Sequence, residues 1–405
     1  MSVPVSKDLL IINTAAFLRS FTFGLTGVVL GIYLFRVGLS SVNIGMAVAA
    51  GLVGSALATI GVTAKADRAG RRRTLVVLSL LGAIGALALA LTPPVPVLLL
   101  MAFVGMLNGT GTDRSAVFSL EQAIIPGLVP DSSRTWGLSW YNVVLDTAGS
   151  LGALAATLPL LMQRWLALPL LTSYRAVFLG CAFLGVVGAV LYPFASGAVE
   201  VSKSTTEVPP HHISLPTKKV VTKLAGLFSL DAFGGGFLTD ALVAYWFFRR
   251  FGVAEDSLGV LFFAVHLLNA ASHLGAAWLA RRIGLVNTMV FTHLPSSLFL
   301  VAASFAPSLK LAMLLFLCRE ALVEMDVPTR QSYVAAVVLP NERTFASGIT
   351  NLARNVFWAI GSAVAGFLMQ NVALSAPLVI GGGAKIGYDL LLYRAFRKIK
   401  PPEER

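Results

Sequence analysis

Charge is what this 405-residue chain has least of: Asp, Glu, Lys and Arg make up 12% of it, against 56% hydrophobic residues. A soluble domain carries roughly 25% charged residues, so a single water-facing globule is excluded. Cysteine is almost missing too. Cys181 and Cys318 are the two in the chain, each inside an apolar run, which excludes a disulfide framework and leaves small buried thiols. No Gly-x-x-x-x-Gly-Lys-Ser loop occurs, and no polar stretch is long enough for an ATP-hydrolysing domain, so ATP-driven pumping is excluded. The five histidines include His211 and His212 in a Pro-rich linker and the scattered His266, His273 and His293. They make no metal-ligand or nucleophile–base spacing, so the chain reads as neither an enzyme nor a metalloprotein, and no cofactor is implied.

What is present is a succession of apolar runs of about the 20 residues that cross a bilayer. They lie near 9–35, 42–63, 74–92, 96–128, 135–162 and 174–195, then near 221–248, 256–280, 285–306, 309–338, 345–370 and 373–394. The runs are too long and too uniform for the alternation of a barrel. The expected fold is an all-α membrane protein of twelve transmembrane helices in two six-helix bundles. Residues 1–195 form the first bundle, 196–219 a cytoplasmic linker, 220–394 the second bundle and 395–405 a cytoplasmic tail. Pro126 and Pro328 are placed to bend their helices. The first run carries Asn13 and Arg19 and ends without a small-residue cleavage pattern, so it reads as a span and not as a cleaved signal.

Net charge is +12, but its distribution argues against a nucleic-acid partner. Lys65, Arg68, Arg71, Arg72 and Arg73 follow the second run, Lys218, Lys219 and Lys223 flank the linker, and Arg394, Arg397, Lys398 and Lys400 follow the last. Bases gathered in alternate loops place both termini in the cytoplasm by the positive-inside rule. Arg36, Arg164, Arg175, Arg249 and Arg250 fall on the other side, where lipid headgroups are the natural partners.

The two sets of runs repeat one another. Phe35-Arg36-Val37-Gly38 is answered by Arg249-Arg250-Phe251-Gly252, and Gly45 by Gly259, at an offset of 250 − 36 = 214. Gln122, Arg134, Thr135, Asn142 and Gly152 are answered by Gln331, Arg343, Thr344, Asn351 and Gly361 at an offset of 331 − 122 = 209. Polar and glycine matches at a fixed offset in an apolar chain mark duplication, and duplicated membrane bundles are the usual build of a secondary transporter.

The loop after the second run is Ala64-Lys65-Ala66-Asp67-Arg68-Ala69-Gly70-Arg71-Arg72-Arg73. It resembles the signature of the major facilitator superfamily, Gly-x-x-x-Asp-Arg-x-Gly-Arg-(Lys/Arg), with Asp67, Arg68, Gly70, Arg71 and Arg72 in place. Thr63 stands where the family has its first Gly. Ala280-Arg281-Arg282-Ile283-Gly284 is its worn second copy, with Arg282 and Gly284 answering Arg68 and Gly70. The resemblance implies a latch at the cytoplasmic face, Asp67 capping the eleventh helix and Arg68 meeting a carboxylate. It also implies that the first, fourth, seventh and tenth helices line the cavity, and that drug–proton antiporters are among the relatives. The fifth helix, with Ala148-Gly149-Ser150-Leu151-Gly152, lacks the proline of the antiporter signature.

Counting in from the span ends puts Arg19, Asp113, Arg114, Asp146, Asp231, Arg319, Glu320, Glu324, Asp326 and Arg354 near mid-bilayer. An ionisable group there costs about 2.5–3.5 kcal/mol on insertion scales, so each is by default functional or paired. On the tenth helix Arg319, Asp326 and Arg330 fall within about 40° of one another, which makes Asp326 a partner of Arg330 or Arg319. Glu320 and Glu324 lie on an adjacent face and are the expected proton carriers. Glu121 answers Arg330 at the 209 offset, so these two are expected to clasp the inner gate, with Arg134 and Arg343 beside it. Where the copies differ (Arg19 against Phe233, Asp146 against Asn355, Leu145 against Arg354) the cavity is expected. Gly234-Gly235-Gly236 points to a broken helix beside Asp231.

The function this supports is carriage of a small molecule by rocking-bundle alternating access in the plasma membrane, by a monomer in the lipid bilayer, with proton-coupled export of an organic compound as the first choice. Uptake or uniport of an anionic solute is the alternative, on account of the cavity arginines. A channel or receptor is the alternative from another class.

Overall fold

The computed structural model describes residues 6–107, 109–113, 115–129, 134–200, 214–338 and 343–397. Arg114, His211 and His212 fall outside these residues, as do the side chains of Asp67, Arg68, Arg134 and Arg343 within their helices. The described residues form sixteen α-helices and no strand. Nine of the helical stretches are long and apolar enough to cross a membrane.

The helices map onto the twelve expected spans. α1 (Lys7–Arg36), α2 (Ser41–Ala69), α3 (Arg71–Leu91) and α8 (Leu170–Leu191) are continuous, as are α11 (Glu255–Ile283), α12 (Leu285–Ser304), α15 (Arg343–Asn371) and α16 (Ala376–Phe396). The other four spans are interrupted: α4 (Val95–Val104) with α5 (Ala116–Leu128), α6 (Arg134–Leu154) with α7 (Leu158–Leu166), α9 (Leu215–Gly236) with α10 (Asp240–Phe251), and α13 (Leu309–Val323) with α14 (Asp326–Ala336).

Local sequence explains these starts and stops. Ser6, Ser40, Ser115 and Ser214 each accept a backbone N–H of the first turn of α1, α2, α5 and α9, satisfying a donor that the helix itself leaves open. Gly70 and Gly284 take φ of +94° and +87° at the α2–α3 and α11–α12 joints, a conformation that a side chain disfavours. The two copies of the loop motif therefore share one turn. Pro328 lies in the first turn of α14 and brings no N–H to bond a carbonyl of α13, and the tenth span breaks just before it. The seventh span breaks directly after Gly234-Gly235-Gly236, as the glycine triplet suggests.

By contact the chain divides into two compact units. Unit 1 is Met1–Thr205 with Thr239–Phe263, and unit 2 is Thr206–Leu238 with Ala264–Arg405. The second half of the seventh span thus packs within unit 1, where the Ala241 N–H donates to the Gly109 carbonyl at 3.0 Å. Each unit is held by a glycine-faced helix pair. In unit 1 a Cβ at Gly24 would stand 2.0 Å from the Gly149 oxygen, and one at Gly152 would stand 2.0 Å from the Phe21 oxygen. In unit 2 a Cβ at Gly361 would meet the Phe233 oxygen at 2.3 Å. Small residues let these backbones touch, which is how helices associate where no hydrophobic effect drives them.

That contact also fixes the register of the duplication. Gly152 and Gly361 make the same approach, to Phe21 and Phe233, so the first and seventh spans correspond at an offset of 233 − 21 = 212. The offset becomes 214 only at Gly38 and Gly252, which share a positive φ of +98° and +67° beyond the break at 237–239. The expected alignment of Arg19 with Phe233 is corrected accordingly: Arg19 corresponds to Asp231.

Candidate functional site

In unit 1 a charge cluster joins α1, α5 and Asp113, which precedes α5. Arg19 donates from Nε to Asp113 at 2.7 Å and from Nη2 to Glu121 at 2.5 Å, with a second bond from Nη1 to Glu121 at 3.3 Å. Glu121 is fully buried and accepts two further bonds, from the Tyr141 and Tyr192 hydroxyls, each at 2.6 Å. Asp113 is oriented by the Ser115 N–H at 3.0 Å and the Ser115 hydroxyl at 2.8 Å. Among the described residues two carboxylates face one guanidinium, so these three groups hold one negative charge in excess when all are ionised. Beside it lies a cavity whose lining is mostly apolar and includes Arg19, Phe23, Leu78, Met106 and Tyr192. Asp146 stands half-buried on α6.

Unit 2 carries a larger cluster with the signs reversed. Asp231, on α9, accepts from Lys385 Nζ and from Arg354 Nη1, both at 2.7 Å, and Arg330 Nη1 lies 3.7 Å away. Arg330 pairs at 2.5 Å with Asp326, the partner its helical spacing suggests. His293 Nδ1 lies 2.9 Å from Asp389, while Nε2 lies 3.3 Å from Lys385 Nζ and 3.6 Å from Asp231. These groups come from five helices (α9, α12, α14, α15 and α16), and all are nearly inaccessible to solvent. With His293 neutral, three cations balance three carboxylates.

Glu121 and Arg330 each hold a partner within their own unit, Arg19 and Asp326. Glu320, one of the two expected proton carriers, is buried in an ion pair with its neighbour Arg319; Glu324, the other, is half-buried at the end of α13.

Other participants went unnoticed in the sequence. Lys385 and Asp389 are charges within an apolar span, spaced one helical turn apart, and the rule that singles out Asp231 applies equally to them. His293 gave no signal alone; its meaning comes from the α12–α16 contact. At the α2–α3 turn the partner in view is Glu200. It accepts from the Arg71 N–H at 2.7 Å and the Arg72 N–H at 3.2 Å, and pairs with the Arg72 side chain at 3.2 Å. Glu200 caps α3 and offsets its N-terminal dipole. Burial raises its pKa, but these amides and the guanidinium outweigh that and hold the group below the usual carboxylate range.

At the other end of unit 1 two Phe-Arg pairs, Phe35-Arg36 and Phe248-Arg249, interlock. The Arg36 guanidinium stacks over Phe248 at 5.2 Å, and that of Arg249 stacks over Phe35 at 4.4 Å. Glu255, fully buried, pairs with Arg36 at 2.7 Å and accepts from the Tyr174 hydroxyl.

Twelve apolar spans in two equivalent sets, each enclosing an ion-pair network, define a multi-pass membrane carrier. The chain belongs to the Major Facilitator Superfamily, whose family model matches residues 12–319. A Saccharomyces cerevisiae relative, uncharacterized membrane protein YJR124C, is 27% identical over 418 residues, covering 96% of this chain and 93% of the relative. Among solved structures, the fold is similar to that of the xylose transporter XylE from E. coli in its inward-open conformation. That match has a TM-score of 0.73 at 16% identity over 98% of each chain. It is also similar to the nucleoside transporter NupG, with a TM-score of 0.73 at 14% identity over 96% of this chain and 99% of that one. A bacterial homologue of the human lysosomal transporter Spinster gives a TM-score of 0.73 at 16% identity over 96% and 97%. Membership of this family makes the protein a secondary transporter.

Proposed function

We propose that this transporter couples the movement of a small organic compound to protons, with the Asp231 cluster of unit 2 as the coupling site. The observation that carries the reading is Asp231 itself: a buried carboxylate whose two oxygens hold Lys385 and Arg354, with an imidazole at 3.6 Å. Protonation of any carboxylate in such a balanced set frees a cation, and freeing a cation in a low-dielectric interior is expensive enough to drive rearrangement. A second observation bears on the cargo. Arg19, Arg330 and Arg354 already hold carboxylate partners, and the unit 1 cluster is negative in sum beside an apolar cavity. This favours a neutral or cationic organic compound over an anion, and with it export by alternating access across the plasma membrane with both termini in the cytoplasm.

The test begins with a thermal-shift screen for compounds that stabilise the purified protein. A stabilising compound is then applied across proteoliposomes loaded with a pH dye. Saturable, compound-driven proton movement that Asp231→Asn abolishes is the expected result. Confirmed transport of the compound without proton movement would leave a uniporter and overturn the coupling.

A further inference from the structure

His293 lies between two carboxylates and a competing cation. Its ring nitrogens have different surroundings. Nδ1 lies 2.9 and 3.1 Å from the two oxygens of Asp389, so the proton of the neutral ring belongs on Nδ1. Nε2 is then an acceptor, and Lys385 Nζ stands 3.3 Å from it as a donor. Lys385 therefore bridges His293 and Asp231, holding the carboxylate at 2.7 Å. Asp231 is also 3.6 Å from Nε2, just beyond a direct bond.

We infer that His293 is a proton-operated switch that decides whether Asp231 is held by Lys385 or by imidazolium. Hydronium gives a proton to Nε2, so one O–H bond breaks as one N–H bond forms and water is released; no other covalent bond changes. The ring then has a donor on each nitrogen, and Nε2–H faces the Lys385 ammonium, a second donor carrying like charge. The two cannot share that position, and Asp231 is the nearest acceptor for the new N–H. The imidazolium takes over one Asp231 oxygen, and Lys385 is expelled from it as a free cation. The device needs Asp389, because its carboxylate fixes the tautomer that leaves Nε2 open, as a carboxylate on the far nitrogen does for metal-binding histidines.

The groups facing the ring from each packed helix support this order. α9 brings Asp231; α16 brings Lys385, Asp389 and the edge-on ring of Tyr388 at 5.8 Å. α14 and α15 act through Asp231, with Arg330 and Arg354 on the oxygen opposite the one Lys385 holds. Among the described residues α13 brings no charged side chain within ion-pair distance of the imidazole. The acceptor open to a protonated Nε2 is thus Asp231, and the cation it displaces is Lys385.

The inference rests on the proton-coupling reading, and its test needs no substrate. The full chain, with 15N-labelled histidine, is reconstituted in lipid nanodiscs and its imidazole nitrogens are followed by NMR from pH 9 to pH 5. His293→Gln assigns the signal. We expect the neutral ring at high pH to carry its proton on Nδ1 and to convert to imidazolium on acidification. Lys385→Met should enlarge the imidazolium fraction at an intermediate pH several-fold, because a competing cation is gone. Asp389→Asn should mix the two neutral tautomers. A ring protonated on Nε2 at high pH, or a titration unmoved by Lys385→Met, would overturn the switch. A switch that titrates as expected in a protein that transports without moving protons would instead sink the coupling reading and leave the switch standing.

Discussion

The two halves of this transporter place an ion pair at the same two positions and give it opposite signs. In unit 1 the first span carries Arg19 and the end of the fourth carries Glu121, bonded at 2.5 Å. In unit 2 the corresponding seventh span carries Asp231 and the tenth carries Arg330, at 3.7 Å. The difference lies in what surrounds each pair. Glu121 is saturated by two tyrosine hydroxyls and the guanidinium, so its own lone pairs are all engaged. Asp231 shares its oxygens among cations from three helices with a histidine at the margin, so unit 2 is a network in which partners compete. Duplication supplied the position, and the two copies differ in the partners around it.

The comparison can be broken most severely by a single charge reversal. Arg19→Asp or Asp231→Arg leaves like charges buried together, and losing one partner of a buried pair costs about 3–5 kcal/mol. A large fall in the unfolding temperature in detergent is expected for both, or no folded protein at all. The double variant Arg19→Asp with Glu121→Arg gives unit 1 the signs of unit 2, and should recover a clear part of the single-variant loss. No recovery would mean that the equivalence of the two pairs is only geometric. At the glycine contacts, Gly152→Ala and Gly361→Ala should each cost about 1–3 kcal/mol by overpacking, and similar losses would support the 212 register. At the Phe-Arg interlock the halves should differ. Arg249→Ala removes a cation–π contact worth about 1 kcal/mol, whereas Arg36→Ala also strands buried Glu255 and should cost more.

The smallest effect belongs to the turn. Glu200 has a folded pKa below its unfolded one, so its contribution is present above the unfolded carboxylate pKa and is lost as pH falls through the folded value. Glu200→Gln should therefore flatten the acid limb of the stability profile by under about 1 kcal/mol, given its partial exposure. An unchanged acid limb would remove Glu200 from the account.

Much of this was legible in the chain because membrane burial leaves few ways to arrange polar groups. Span number, duplication, the Gly70 and Gly284 turns, the helix break beside Asp231 and the pairing of Asp326 with Arg330 all follow from spacing and cost. The equivalence of Arg19 and Asp231 was hidden, because the register drifts from 212 to 214 through a break whose length no motif announces. Lys385 and Asp389 were obscured by the apolar residues around them, although the cost of a buried charge applies to them as to Asp231. Their role depends on His293, 92 residues before Lys385 in the chain, and only the packing of α12 on α16 brings the three together. Glu200 looked like part of a polar tether, since a cap supplied from beyond the sixth span leaves no local pattern.

The most direct test is proton movement in unbuffered solution when a stabilising compound is added to wild type, Asp231→Asn and Glu121→Gln. The account predicts proton uptake or release by wild type and by Glu121→Gln, and its loss in Asp231→Asn while the thermal stabilisation persists. Proton movement that survives Asp231→Asn and vanishes with Glu121→Gln would place the coupling in unit 1 and contradict it.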